Sequence, residues 1–429
     1  MLKYLDLFAG AGGLSEGFFR AGFDPVAHVE MDSAACYTLK TRAAYHWLVE
    51  NNLENVYIDY LSGNISRDSF YSFVPESVLN SVLNYEISDN TLPIIFEKID
   101  KLLGNNRLDM IIGGPPCQAY SLVGRARSET GMKGDKRNYL YKLYAEFLKK
   151  YAPQYFVFEN VMGLLSAKDE DGTLHLENMR KLFKDYGYST EYRLLNTSDY
   201  GVLQNRKRLI LIGVKGNHVN FYPEIPVVAK QCVVNELFAD LPSIQAGEGT
   251  PYLVPTKEYK GTYLFESCIK RYDKQPVSLH YARPHTDQDK EIYKIVVNAW
   301  NEHKKRVLYL DLPESLRTHK NLNSFVDRFK VVAGELQTSQ TVVAHIARDG
   351  HYFIHPDIKQ NRSITPREAA RIQTFPDDFY FESKKGIPAR TSAFRQIGNA
   401  VPVCFAHHIA ISMMRMFEMR DINDEQPND

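Results

Sequence analysis

The sequence predicts an α/β protein with a Rossmann-like parallel sheet and a smaller, irregular, strand-rich domain after it. Three observations carry this expectation. Short apolar runs alternate with helical patterns over about the first 216 residues, the rhythm of strands joined by crossover helices. A glycine-rich turn, Gly10-Ala11-Gly12-Gly13, directly follows the first apolar run. From about Asn217 prolines, tyrosines and short strand candidates replace that rhythm.

In chain order, Tyr4–Phe8 reads as a strand, Leu14–Ala21 as an amphipathic helix, Pro25–Glu30 as a second strand and Ser33–Thr41 as a second helix. Leu108–Ile112, Tyr155–Phe158 and Leu209–Val214 are mainly apolar runs of buried-strand type, with a helical pattern over about Leu140–Lys150 between the first two. Residues from about 59 to 106 are polar, partly helical, and read as an insertion between sheet elements without assigned chemistry. A long helical pattern, Val403–Met419, closes the ordered chain, and 420–429 reads as a frayed, acid-rich tail. The domain expectation is therefore a catalytic unit over 1–216, a second domain over 217–390, and a segment over 391–419 that returns to the first unit.

Composition excludes several classes. The five cysteines have no paired spacing, which argues against a disulfide framework or a zinc site and favours a reducing, cytoplasmic setting. No apolar run approaches membrane-spanning length, and the start of the chain lacks a leader pattern. Lysine plus arginine equals aspartate plus glutamate, 52 each. Total charge therefore does not decide for or against nucleic acid; a basic face would. No coiled-coil pattern or apolar stripe demands a dimer, so a monomer is expected.

Gly113-Gly114-Pro115-Pro116-Cys117-Gln118 is the most pointed motif. The glycines and prolines force a rigid exit from a strand, and a thiol on such an exit suits a nucleophile. A cysteine packed as a small hydrophobe is the competing reading, and the hexapeptide alone leaves both open. The glycine turn has Ser15 where a dinucleotide fingerprint requires glycine. With Glu30 ending the second strand, where an acid accepts from ribose hydroxyls, this suggests an adenosine-bearing cofactor without a pyrophosphate, of which S-adenosylmethionine is the common one.

Six motifs in this order resemble the DNA (cytosine-5) methyltransferases, over nearly the whole chain: Asp6–Leu14, Pro115–Gln118, Glu159-Asn160-Val161, Gln204–Arg208, Arg362–Phe379 and Gln396–Pro402. The resemblance implies a sheet of the S-adenosylmethionine-dependent methyltransferase type and a target-recognition domain over 217–390. It implies Cys117 as the nucleophile that adds to cytosine carbon 6. Glu159 hydrogen-bonds ring N3, for which burial against the base would raise its pKa. Arg206 contacts the ring carbonyl and Arg208 braces the site. The implied cofactor pocket comprises Phe8, Gly10, Gly12, Gly13, Leu14, Glu30, Met31, Pro116, Asn399 and Ala400, with Asn64 of Gly63-Asn64-Ile65 at the adenine amino group. Asn399 also suits a helix N-cap. Gln118, Ser121, Arg125, Arg127 and Thr341 are the implied DNA contacts, and Gln337, Ser339, Gln340, His345, Arg348 and His351 are candidate base readers.

The implied partner is double-stranded DNA, with a cognate restriction endonuclease acting independently. The cofactor leaves as S-adenosylhomocysteine, and no metal is required. Methylation of a transfer-RNA cytosine, a catalytically silent DNA-binding relative and a nicotinamide oxidoreductase are the alternatives. The intact Cys117, Glu159 and Arg206 weigh against the silent relative, and the missing dinucleotide spacing weighs against the oxidoreductase.

Overall fold

The structure is a computed structural model and describes residues 1–116, 139–228, 232–319 and 326–424. In chain order the first part runs β1 (Lys3–Leu7), α1 (Gly13–Arg20), β2 (Asp24–Glu30), α2 (Ser33–Glu50), α3 (Glu54–Leu61), α4 (Arg67–Tyr71), α5 (Glu76–Asn80), β3 (Val82–Asn84), α6 (Leu92–Leu103) and β4 (Met110–Gly113). It continues with α7 (Leu140–Tyr151), β5 (Tyr155–Val161), α8 (His175–Asp185), β6 (Tyr188–Asn196) and β7 (Lys207–Lys215). Beyond it lie β8 (Gly249–Thr250), α9 (Tyr263–Glu266), β9 (His280–Tyr281), α10 (Asp287–His303), α11 (Pro366–Ile372), α12 (Arg390–Asn399) and α13 (Val403–Asp424).

The seven-stranded sheet has the order β3-β2-β1-β4-β5-β7-β6. All neighbouring pairs from β3 to β5 are parallel, and β7 runs antiparallel to both β5 and β6. Strand order reverses between β1 and β4. A crevice therefore opens there at the carboxyl ends of the strands, the general ligand position in such sheets. The central strands are largely apolar because both faces are covered. Leu7, Val29, Ile111, Phe156 and Phe158 pack against α6, α7 and α8, while Tyr4, Met110, Ile112, Val157 and Ile210 meet α1 and α13.

Segment 59–106 is more than an insertion. It supplies edge strand β3, paired with β2 through His28↔Val82 and Glu30↔Asn84, and the covering helix α6. Three residues leave too short a periodic signal for a strand to stand out. The second part is irregular, as expected, but among its described residues the regular strands are the two-residue β8 and β9 plus isolated bridges. Its prolines remove ladder donors. At the far end α13 continues to Asp424, beyond the expected end at Met419 and into the segment expected to fray. Glu418, Met419 and Arg420 are good helix formers. The stretch Arg390–Arg420 has the length and hydropathy of a membrane span, yet it is broken at Ala400–Pro402, and 67% of the apolar window is buried. It is a core helix.

Around α11 the chain buries an ionic lattice. Arg362, Arg367 and Arg371 are each 0% exposed. Arg362 grips both oxygens of Glu368 at 2.7 Å. Arg371 pairs with Asp377 at 2.6 and 2.8 Å and with Asp240 at 2.6 Å, and Lys270 also reaches Asp240. Arg367 donates to the carbonyls of Ser278, Pro376 and Phe379. Thr365 begins α11 with a reciprocal capping box to Glu368.

Near this lattice His355 is held neutral. Burial pushes its pKa down to about 4 against the pull of Glu368. Burial likewise lowers His46, His280 and His285. A histidine with a depressed folded pKa binds fewer protons than its unfolded counterpart below pH ~6.5. Its contribution is complete above that pH and is lost as pH falls toward 4. The melting temperature is therefore expected to drop between pH 6.5 and 4.5. His355→Gln should flatten that slope by up to about 1.4 kcal/mol per pH unit, measured by thermal unfolding across buffers.

Candidate active site

The crevice is built from strand ends. After β1, Phe8 (φ 57°), Gly10 (φ 56°) and Gly12 (φ 82°) turn the chain through left-handed conformations. Glu30, at the end of β2, fastens this turn. Its Oε2 accepts from Gly10 N and its Oε1 from Asp32 N, both at 2.8 Å. Burial raises its pKa, although the N–H groups of Asp32 and Gly10 pull the other way. A Cβ at Gly10 would meet nothing within 4 Å, whereas one at Gly13 would lie 2.3 Å from the carbonyl of Val401. Gly10 thus faces open space, and Gly13 is where the returning C-terminal segment seats. Ala400 is buried beside it, while Asn399 and Met31 are exposed. Leu14 packs into the core under the sheet with Phe18 and Phe405.

Gly113 and Gly114 allow the strand exit to press on its neighbours. A Cβ at Gly113 would sit 2.0 Å from the Leu7 carbonyl, and one at Gly114 would sit 2.3 Å from the Glu159 carbonyl and 2.9 Å from its Oε2. Asn160 Nδ2 donates to the Pro115 carbonyl at 3.3 Å, which pins Pro115-Pro116 to β5. Cys117, Gln118, Ser121, Arg125 and Arg127 lie outside the described residues.

Two adjacent arginines take different positions. Arg208 Nε lies 2.5 Å from Glu159 Oε1, at a partly open edge. Arg206 is 2% exposed and donates to the carbonyls of Val342 at 2.6 Å and Gly398 at 3.2 Å. The geometry thus sets Arg208, expected as the brace, beside Glu159, and sets Arg206, expected at the ring, in the buried wall between Val342 and Gly398. The antiparallel β7 explains this, since its register sets Arg208 opposite Val161 and Ile210 opposite Glu159.

The segment around Thr341, an implied DNA contact, docks on the same stretch. Thr341 Oγ1 donates to the Asn205 carbonyl at 2.6 Å, Val342 N donates to Gln204 Oε1 at 2.8 Å, and Ser339 bridges Gln204. Of the candidate readers, Gln340 is committed to the Tyr352 carbonyl and His351 to the Tyr293 hydroxyl.

Asn64 lies away from the strand ends, and the helix-cap reading of Asn399 is corrected. Asn64 sits on the exposed turn after α3, donates to Asp59 Oδ1 at 3.1 Å, and adjoins Tyr252 through Gly63. The residue at the end of β3 is Asn84, whose Nδ2 donates to the carbonyls of Glu30 and Met31 and whose Oδ1 accepts from Ser33. Only knowledge of β3 would have singled it out. Asn399 ends α12 and does not cap α13, which starts at Val403 after Pro402. Among the described residues no cluster of three or more metal-ligating side chains occurs.

The profile described as C-5 cytosine-specific DNA methylase matches residues 2–69 and 85–415, and the chain belongs to that family of DNA (cytosine-5) methyltransferases. It is 38% identical to the type II methyltransferase M.Bpa9945I of Bacillus paralicheniformis, over 95% of this chain and 97% of the relative. It is 31% identical to M.XorII of Xanthomonas oryzae pv. oryzae, covering 96% and 84%. Its fold matches a crystal structure described as a DNA modification methyltransferase encoded within an E. coli prophage. That match has TM-score 0.65 and 22% identity and covers 97% of this chain and 100% of the other.

Proposed function

We propose that this enzyme methylates carbon 5 of a cytosine flipped out of one short duplex sequence, as the modification half of a restriction–modification system. The observation that carries the reading is the convergence of Glu159, Arg208 and the Pro115-Pro116 exit at one end of the sheet, with the extended segment around Thr341, read as the recognition strand, tied beside them. The type II methyltransferases among its relatives support the modification role. A monomer working in the cytoplasm, with a separately acting endonuclease, fits this role.

The residues present fit S-adenosylmethionine. The open space at Gly10 and the Glu30 carboxylate, with lone pairs left beyond its two backbone bonds, suit a ribose and its adenosine. The cofactor supplies an electrophilic methyl group. Phe8, Gly10, Gly12, Glu30, Met31, Pro116, Asn399 and Ala400 would hold it, with Asn84 in place of Asn64 at the end of β3.

Cytosine carbon 5 is too weak a nucleophile to take a methyl group unaided. Cys117 adds as thiolate to carbon 6, which makes carbon 5 enamine-like. Carbon 5 takes the methyl group, a base removes its proton, and the thiolate leaves by elimination. A base stacked in a duplex is out of reach, so the nucleotide is rotated into the pocket. Glu159 stands at ring N3. Arg208 fixes the Glu159 carboxyl and offers its remaining N–H groups to the ring carbonyl. Arg206 holds the wall of the pocket.

Arg208→Ala is expected to lower kcat at saturating DNA by about 10²–10³-fold, the effect of deleting one oriented donor from a site. Arg206→Ala should mainly destabilise the chain, because two buried carbonyls lose their donor. Single-turnover methylation and thermal unfolding separate the two. The overall test is bisulfite sequencing of duplex DNA incubated with enzyme and cofactor, which should reveal one protected motif. Methyl transfer to transfer RNA in place of duplex DNA would reverse the reading.

A further inference from the structure

A continuous line of buried side-chain amides joins the recognition strand to the segment that closes the cofactor crevice. Gln204 and Gln373 are each 0% exposed. Gln204 Oε1 accepts from Val342 N at 2.8 Å, and its Nε2 donates to Gln373 Oε1 at 2.8 Å and to the Ile372 carbonyl at 3.3 Å. Gln373 Nε2 then donates to the carbonyls of Ile397 at 2.7 Å and Ala400 at 3.2 Å.

The polarity of this line is fixed. Turning either amide over would set donor against donor or acceptor against acceptor, in a place that water does not reach. Both ends bear on a site. Val342 follows Thr341, which is bonded to Asn205. Ala400 and Val401 pack on Gly13 of the glycine turn. Arg206 spans the same gap in parallel, from Val342 to Gly398. A Cβ at Gly398 would sit 2.3 Å from Ala344 N, so the two segments also touch directly.

We infer that Gln373, through Gln204, is a positioning residue that couples DNA engagement by the recognition strand to cofactor engagement at the glycine turn. The inference rests on the proposed function for the identity of the two ligands. Ordering the Ile397–Val401 turn around a ligand orders the amide line and with it Val342. The second ligand then meets a strand whose ordering cost has already been met. Linkage makes the effect reciprocal.

The test uses the full chain, S-adenosylhomocysteine, and a fluorescein-labelled duplex carrying the motif mapped by bisulfite sequencing. In wild type, saturating S-adenosylhomocysteine should tighten duplex binding by about tenfold, within the usual range of coupling. Q373M and Q204M keep the side-chain volume and remove the amide. Each should reduce this gain to below about twofold, and the double variant should lose no more than either single one, since a line cut twice is still one cut line. A purely structural role would give additive losses of stability with the gain intact.

A measurement on the unaltered chain accompanies the variants. S-adenosylhomocysteine should slow hydrogen exchange in peptides containing the Val342 amide. A full gain in folded Q373M, additive loss in the double variant, a wild type whose duplex affinity ignores S-adenosylhomocysteine, or unchanged exchange at Val342 each overturns the inference. A wild type that binds neither the duplex nor S-adenosylhomocysteine overturns the proposed function instead.

Discussion

Cys117→Ser is expected to remove methyl transfer, by more than about 10⁴-fold, as loss of a covalent nucleophile does, while duplex binding persists. A serine hydroxyl is far less acidic than a thiol and is a poor nucleophile toward carbon 6 without a dedicated base. The neighbouring parts of the site would be untouched, because Pro115 is held by Asn160 and Glu159 by Arg208. Tritium transfer from labelled cofactor measures the loss, and gel shift measures the retained binding. The covalent step has its own assay. A duplex with 5-fluorocytosine at the target, which cannot lose a proton from carbon 5, should leave wild type joined to DNA in a denaturing gel and leave the variant free. Methyl transfer by the serine variant would refute the assignment.

Arg371→Met is expected to be the most damaging substitution away from the crevice, destabilising the chain by about 3–5 kcal/mol. Arg371 is 0% exposed and neutralises Asp377 and part of Asp240. Its removal leaves the Asp377 carboxylate buried without its cation, while Lys270 still serves Asp240. Breaking one member of such a lattice costs more than replacing the pair. R371M/D377L should therefore recover part of the loss in a urea or thermal unfolding experiment. A single variant as stable as wild type would show that water reaches this lattice.

The first half of the fold is legible in the sequence because its strands bury both faces. Met110–Ile112 and Phe156–Phe158 read as unbroken apolar runs, and they are strands with 0% exposure. The glycine turn is legible because left-handed backbone at Gly10 and Gly12 favours that residue. β3 is not, because three residues carry no period, and the polar edge strand β6 has no buried run to single it out. Arg206 and Arg208 look equivalent in a basic cluster. Only the register of β7 and the carbonyls of Val342 and Gly398 tell brace from partner. Asn64 and Asn84 show the same limit, since a strand end is defined by pairing with a neighbour. Arg362–Phe379 is marked in the sequence as a motif, but nothing there says that its charges are buried, and tertiary packing alone turns them inward.

Gly17 and Gly13 of α1 are clasped by residues 401–407, and a Cβ at Gly17 would overlap the backbone at Ala406 and His407 by about an ångström. α1 thus waits for a segment synthesised after the whole of the sheet. Until that late segment emerges and docks, the nascent polypeptide has a glycine turn with no wall behind it. Synthesis itself then sets a delay between the first half of the sheet appearing and the earliest moment at which the newborn enzyme is competent.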